Sequence, residues 1–191
     1  MTKLEAIAAL LGIINVALVA RRSIWNYPPG IVMVALYFFV FFRAKLYSDA
    51  LLQIFFLVIQ FYGWWNWVRS PKVDHGVAVE WMTPAARFKW LCGTITFSIC
   101  WGLLMRTYTD TAAPLIDANI AGFSVAAQLL LSLRRVENWI LWIGVDVVAI
   151  GLFVWRGLAI TAGLYAVFLC LAIWGLISWI RQTSALKSVP A

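Results

Sequence analysis

Long apolar runs alternate with short polar breaks along the whole chain, the longest break running from Arg69 to Glu80. A helix needs about 20 apolar residues to cross the hydrocarbon core of a bilayer. Seven runs reach or approach that length, near residues 4–20, 28–43, 47–68, 87–105, 115–133, 137–155 and 158–180. Pro28-Pro29-Gly30 marks the start of the second run. Ser70-Pro71 to Gly76 separates the third from the fourth, and Thr107 to Pro114 the fourth from the fifth. The pattern predicts an all-α integral membrane protein with seven transmembrane helices and a polar tail after Arg181.

The polar anchors between these runs recur. Arg22 and Arg135, Arg43 and Arg156, and Asn15 and Gln128 stand 113 residues apart. Gly63 and Gly175, Trp67 and Trp179, and Arg69 and Arg181 stand 112 apart, as if one residue were lost between the two sets. Arg and Trp at helix ends are also ordinary interfacial anchors. Several matches in one order favour duplication, and internal repeats across hydrophobic segments mark transporters whose substrate sits between the repeats. The expected organisation is a first three-helix repeat (1–69), a loop and linker helix (70–106), and a second three-helix repeat with the tail (107–191).

Composition agrees: 64% of the 191 residues are hydrophobic and only 12% charged, about half the charged share of a soluble domain. The net charge of +7 does not point to nucleic acid, because the cations stand at the ends of apolar runs. Seven crossings place Lys3, Arg43, Lys45, Arg106 and Arg156 on one side of the bilayer. The ten other Lys and Arg residues, Arg21, Arg22, Arg69, Lys72, Arg87, Lys89, Arg134, Arg135, Arg181 and Lys187, lie on the other. The positive-inside rule makes the second side cytoplasmic, with the N-terminus outside and the C-terminus inside. Both three-helix sets then start outside and run parallel, the 3+1+3 plan of SWEET-type sugar transporters.

Cys92, Cys100 and Cys170 fall inside apolar runs, and His75 is the one histidine, so neither a metal site nor a bound cofactor is expected. No nucleophile–base set, carboxylate pair or phosphate loop implies an enzyme. The chemistry available is aromatic and amide. Asn138, Trp142 and Asp146 step by four along the sixth run, with Trp139 three before Trp142. Gln53, Gln60 and Trp67 step by seven on the third, with Trp64 four after Gln60. Ser124, Gln128 and Ser132 step by four on the fifth, and Thr161, Tyr165 and Phe168 line up on the seventh. Amides in a bilayer also bond neighbouring helices, at about 0.6–2 kcal/mol, and aromatics also pack. Asp146 is the sharper signal, because a carboxylate at depth faces a cavity or a partner.

At these residues the chain resembles the PnuC family of bacterial vitamin transporters. The carrying segments in the first half are Ala44-Lys45-Leu46-Tyr47-Ser48-Asp49, Leu52-Gln53-Ile54 and Gln60-Phe61-Tyr62-Gly63-Trp64. In the second half they are Val136-Glu137-Asn138-Trp139-Ile140-Leu141-Trp142, Val145-Asp146-Val147 and Gly163-Leu164-Tyr165-Ala166-Val167-Phe168-Leu169. Arg156 stands where Lys is common in the family, and Trp65-Asn66 follows the shared Gly63-Trp64. The resemblance implies uptake of nicotinamide riboside through the bacterial inner membrane by facilitated diffusion, with intracellular trapping by a kinase. It implies a homotrimer with one pathway per subunit, and substrate contacts from Asn138 and Trp139, with Trp142 a turn along.

The expected substrate-binding set is therefore Asn138, Trp139, Trp142, Asp146, Gln53, Gln60, Trp64, Gln128 and Tyr165. Thiamine or another B vitamin is the alternative substrate, since thiamine too is a cationic aromatic that stacks on Trp. A SWEET-like sugar carrier and a seven-helix membrane enzyme or assembly factor are the remaining readings.

Overall fold

The computed structural model describes residues 3–43, 47–73, 76–108 and 114–187. Ala44-Lys45-Leu46 of the family motif, His75 and the tail beyond Lys187 lie outside the described residues. The elements are α1 (Lys3–Ala20), a 3₁₀ turn (Ile24–Asn26), α2 (Tyr27–Arg43), α3 (Tyr47–Val68), β1 (Lys72–Val73), β2 (Gly76–Val77), α4 (Pro84–Tyr108), α5 (Pro114–Ser132), α6 (Glu137–Trp155) and α7 (Ala159–Lys187).

Each expected run is a helix, and six of the seven helices are long and apolar enough to cross a membrane. The exception is α4. It is 25 residues long, but Arg87 and Lys89 stand near its start, Thr94, Thr96 and Ser98 interrupt its apolar run, and Arg106 stands near its end. The exposed faces of the other six carry large apolar side chains such as Leu10, Phe39, Leu51, Val147 and Ile160, as lipid-facing helices do.

Those six helices close into a ring. α1 packs on α2 and α7, α2 on α3, α3 on α5, α5 on α6 and α6 on α7, while α4 leans on α5. Contacts of one kind recur 112 residues apart around it. α1 and α5 both end in a left-handed residue, Arg22 at φ 57° and Arg134 at φ 59°. In each turn that residue's N–H returns to the carbonyl three back (Arg22 to Val19, 2.8 Å; Arg134 to Leu131, 2.9 Å), and the next N–H to the carbonyl five back. Arg22 therefore corresponds to Arg134, not to Arg135 as the spacing of Arg pairs indicated. The matched turns set Arg22 against Arg134 at an offset of 112, one position from the Arg22–Arg135 pairing read in the sequence.

The helix starts that follow also match. Asn26 Nδ2 donates to Ser23 O and Asn138 Nδ2 to Arg135 O, each at 2.6 Å. Tyr27 meets Trp67 edge-on at 5.5 Å, and Trp139 meets Trp179 edge-on at 5.5 Å. These four rings, with Val19, Val77, Val79, Leu131, Val136 and Ala172, form the buried cluster that seals one end of the ring. The α3–α4 connection crosses that end. Its hairpin lies against the Arg22 turn, and Glu80 pairs its backbone with Arg134 and Val136.

Candidate functional site

A cavity of about 510 Å³ fills the middle of the ring, within the ~300–1,000 Å³ typical of small-molecule sites. All six ring helices line it and α4 contributes nothing among the described residues. Its floor is Val19, Leu131, Trp139 and Ala172, which also belong to the sealed cluster. Its other end reaches Glu5, Phe41 and Ile160, each in a terminal turn of its helix.

α6 presents Trp139, Trp142, Asp146 and Phe153 to the cavity, a three-four-seven spacing that keeps them on one face. Trp139 is only 1% exposed. Its ring lies over Gly175 so closely that a Cβ there would strike it. The glycine on α7 thus permits the indole to reach the cavity wall. Trp139 Nε1 has no hydrogen-bond partner among the described residues.

α3 contributes Gln53 and Gln60. Gln60 is buried and its Oε1 is unpartnered among the described residues. Asn15 on α1 donates to Asn26 O at 2.7 Å. The Asn15 and Gln60 amides converge over Gly30, where a Cβ would stand 2.6 Å from Asn15 Nδ2 and 2.7 Å from Gln60 Nε2. Gln128 on α5 lines the same space. A buried polar atom left without a partner costs about 1–3 kcal/mol, so such atoms in a cavity wall are sites for water or for a ligand.

α7 supplies Thr161, Tyr165 and Phe168. Tyr165 is in ring contact with Phe153 at 5.1 Å and edge-on to Phe168 at 6.0 Å. Asp146 is 4% exposed, and no Lys or Arg among the described residues forms an ion pair with it. The lining holds two ionisable acids, Glu5 and Asp146, and no Lys, Arg or His among the described residues. An excess of acid in the interior of a +7 chain suits a cationic ligand and disfavours an anionic one.

Seven of the nine residues expected from the sequence meet here: Gln53, Gln60, Gln128, Trp139, Trp142, Asp146 and Tyr165. Two do not. Asn138 is fully buried, and in the first turn of α6 its side chain folds back onto Arg135 O, a local bond that secures the helix start. Trp64 stacks parallel on Tyr27, with centroids 6.3 Å apart, beside the sealed cluster and outside the lining. The sequence reading omitted Glu5, Asn15 and Tyr37. Glu5, Ala8, Gly12, Asn15 and Val19 form a three-four stripe on α1 that would have exposed the first two. Nothing in its own run distinguishes Tyr37.

A family model described as nicotinamide mononucleotide transporter matches residues 2–181. The nicotinamide riboside transporter PnuC of Escherichia coli (strain K12) is 26% identical over 204 residues, covering 94% of this chain and 85% of that protein. The riboflavin/roseoflavin transporter RibM of Streptomyces davaonensis is 28% identical, covering 92% of this chain and 83% of its own length. A crystal structure of the vitamin B3 transporter PnuC superposes with a TM-score of 0.79 at 26% identity, covering 95% of this chain and 82% of that one.

Proposed function

The chain belongs to the nicotinamide mononucleotide transporter family, a family of multi-pass membrane transporters and not of enzymes, and we propose that it carries nicotinamide riboside. The observation that carries this reading is the cavity wall itself. Trp139, Trp142 and Tyr165 offer aromatic faces for a pyridinium ring, at about 0.5–2 kcal/mol for each good cation–π contact. Gln53, Gln60, Gln128 and Asn15 offer amides for the carboxamide and ribose hydroxyls. Asp146 and Glu5 favour the cation, and their charge would repel the phosphate of the mononucleotide. A neutral isoalloxazine gains no charge–charge attraction from either carboxylate.

The mechanism within this proposal is facilitated diffusion through the inner membrane, with the riboside trapped inside by phosphorylation. The two sets α1–α3 and α5–α7 act as parallel repeats about the cavity, with α4 (Pro84–Tyr108) linking them, on a 3+1+3 plan. Support comes from the contacts that recur 112 residues apart and from the ring order. The division of basic residues over seven crossings, five against ten, supports an N-terminus outside and a C-terminus in the cytoplasm. Three copies assemble, each with its own pathway.

Isothermal calorimetry on purified protein tests the substrate against nicotinamide mononucleotide, riboflavin, thiamine and a hexose. Nicotinamide riboside is expected to bind most tightly and the mononucleotide far more weakly. Tight riboflavin binding without riboside binding would transfer the site to the flavin branch. Thiol labelling of cysteines placed at positions 2 and 188 of intact cells tests the orientation, and labelling at 188 from outside would reverse it.

A further inference from the structure

Matched bonds set α1 against α5, α2 against α6 and α3 against α7. Arg22 and Arg134 take the same left-handed turn after α1 and α5. Asn26 and Asn138 make the same bond where α2 and α6 begin. The Trp67 and Trp179 indoles donate to Leu131 O and Val19 O, carbonyls that are themselves 112 residues apart. Counting along each helix from these anchors pairs Asn15 with Ala127, Gly30 with Trp142 and Gln60 with Ala172.

At these three positions the two halves exchange large for small. On the α2 side the central residue is a glycine, and two amides close over it. A Cβ on Gly30 would stand 2.6 Å from Asn15 Nδ2 and 2.7 Å from Gln60 Nε2. On the α6 side the central residue is a tryptophan, and both flanking positions are alanines, at 0% and 2% exposure. Trp142 packs against the buried cluster to which Ala172 belongs. Interiors are close-packed, so one such corner holds an indole or two amides but not both. Nearer the sealed end the same register keeps like with like. Gly63 lies under Tyr27 as Gly175 lies under Trp139.

The exchange divides the cavity. α2 and α6 stand opposite each other in the ring, and Asn15, Gln60, Trp142 and Ala172 all line the space between them. Asp146, one turn along from Trp142, has Val34 as its counterpart on α2, so the carboxylate also belongs to the α6 side. A hydrogen-bonding wall thus faces an aromatic, acidic wall at the same distance along their helices. We propose that this division fixes how the ligand lies: its cationic ring against Trp142 and Asp146, and its ribose hydroxyls against Asn15 and Gln60. Gly30 makes room for the two amides, and Ala127 and Ala172 make room for the indole. Gln60 Oε1, without a partner among the described residues, accepts from a hydroxyl. Asn15 Nδ2 is held on Asn26 O, which sets the direction of its amide. The identity of ring and sugar rests on the substrate reading above.

Calorimetry on the full-length protein with three ligands dissects the two walls. Nicotinamide riboside carries both the cation and the sugar. In 1-methylnicotinamide the cationic ring is kept and a methyl group replaces the ribose. The reduced riboside keeps the ribose and is neutral. Gln60→Met keeps the length of the side chain and removes its hydrogen bonds. It should weaken the riboside and the reduced riboside by the same factor, about three- to tenfold, and leave 1-methylnicotinamide unchanged. Trp142→Ala should weaken the riboside and 1-methylnicotinamide alike, and the reduced riboside less.

Gln60→Met that weakens 1-methylnicotinamide as much as the riboside overturns the division, and so does Gln60→Met that changes neither riboside. Trp142→Ala that spares 1-methylnicotinamide while weakening both ribosides reverses the walls and overturns it as well. The two readings fail differently. A parent protein that binds no riboside refutes the substrate reading and takes the orientation with it. A parent that binds the riboside, with variants that do not separate the three ligands, refutes the orientation alone.

Discussion

Trp67 and Trp179 lie with ring centroids 6.1 Å apart, and each donates its indole N–H across the ring. Trp67 on α3 reaches Leu131 O on α5 at 3.2 Å, and Trp179 on α7 reaches Val19 O on α1 at 3.1 Å. Both tryptophans are fully buried. Their acceptors lie just before the two left-handed turns, so the pair fastens α3 to α5 and α7 to α1, the two contacts that close the ring. Trp→Phe at either position keeps most of the packing and leaves a buried carbonyl with one bond fewer. Each substitution should destabilise the protein by about 1–3 kcal/mol, and the two effects should be similar. Thermal melting of the purified variants measures this; an unchanged melting temperature for either would show that the bond contributes nothing.

Trp142 separates binding from folding better than Trp139. It lines the cavity but is only half-buried, and no close contact depends on it as Gly175 depends on Trp139. Trp142→Ala should weaken nicotinamide riboside binding by about 1–3 kcal/mol, the scale of a lost aromatic stack. Its melting temperature should stay near that of the parent. Calorimetry showing full affinity would return Trp142 to a packing role.

Two glycines predict different outcomes for one added methyl group. A Cβ at Gly30 meets the ends of the Asn15 and Gln60 amides, side-chain tips that can shift at the expense of the Asn15 bond to Asn26 O, so Gly30→Ala should bind less tightly with a smaller loss of melting temperature than Gly175→Ala. A Cβ at Gly175 strikes the ring of buried Trp139, where overpacking costs about 1–3 kcal/mol. Gly175→Ala should therefore lose both melting temperature and affinity. Equal effects of the two substitutions on melting would contradict this distinction.

Asp146 is expected to act through its charge. Asp146→Asn keeps the shape of the side chain and removes the attraction to a cation, worth on the order of 1 kcal/mol or more at close range. Binding of the cationic riboside should fall, while a neutral, reduced riboside should bind equally well to both proteins. Loss of affinity for both ligands together would point instead to a structural role in α6.

Passive transport gives the last expectation. Asp146 is the one deeply placed carboxylate of the lining, since Glu5 stands in the first turn of α1. Uptake into liposomes should not respond to imposed proton or sodium gradients and should stop at the external concentration. Accumulation beyond it, driven by either gradient, would replace uniport with coupled transport.

The helices were legible in the sequence because their signals are local. Apolar runs of bilayer length, broken by Pro28-Pro29-Gly30 and Ser70-Pro71, fix where helices begin and end. The 3.6-residue period also fixes which side chains share a face, so Trp139, Trp142 and Asp146 were bound to point one way together. Only the tertiary structure decided where those faces looked and which polar groups remained free. Asn138 shares that stripe in the sequence, yet the turn from Arg134 leaves Arg135 O within its reach, and its Nδ2 is held there while Oδ1 is left without a partner among the described residues. Trp64 was set aside because Tyr27, from a distant helix start, takes its face. Asn15 entered the site because α2 brings Gly30 against it with no side chain in between. The offset of 112 emerged only when Arg22 and Arg134 took the same left-handed backbone, since identity of residue type had favoured Arg135. Periodicity is a property of one helix, whereas an interior exists only where six helices leave room for it.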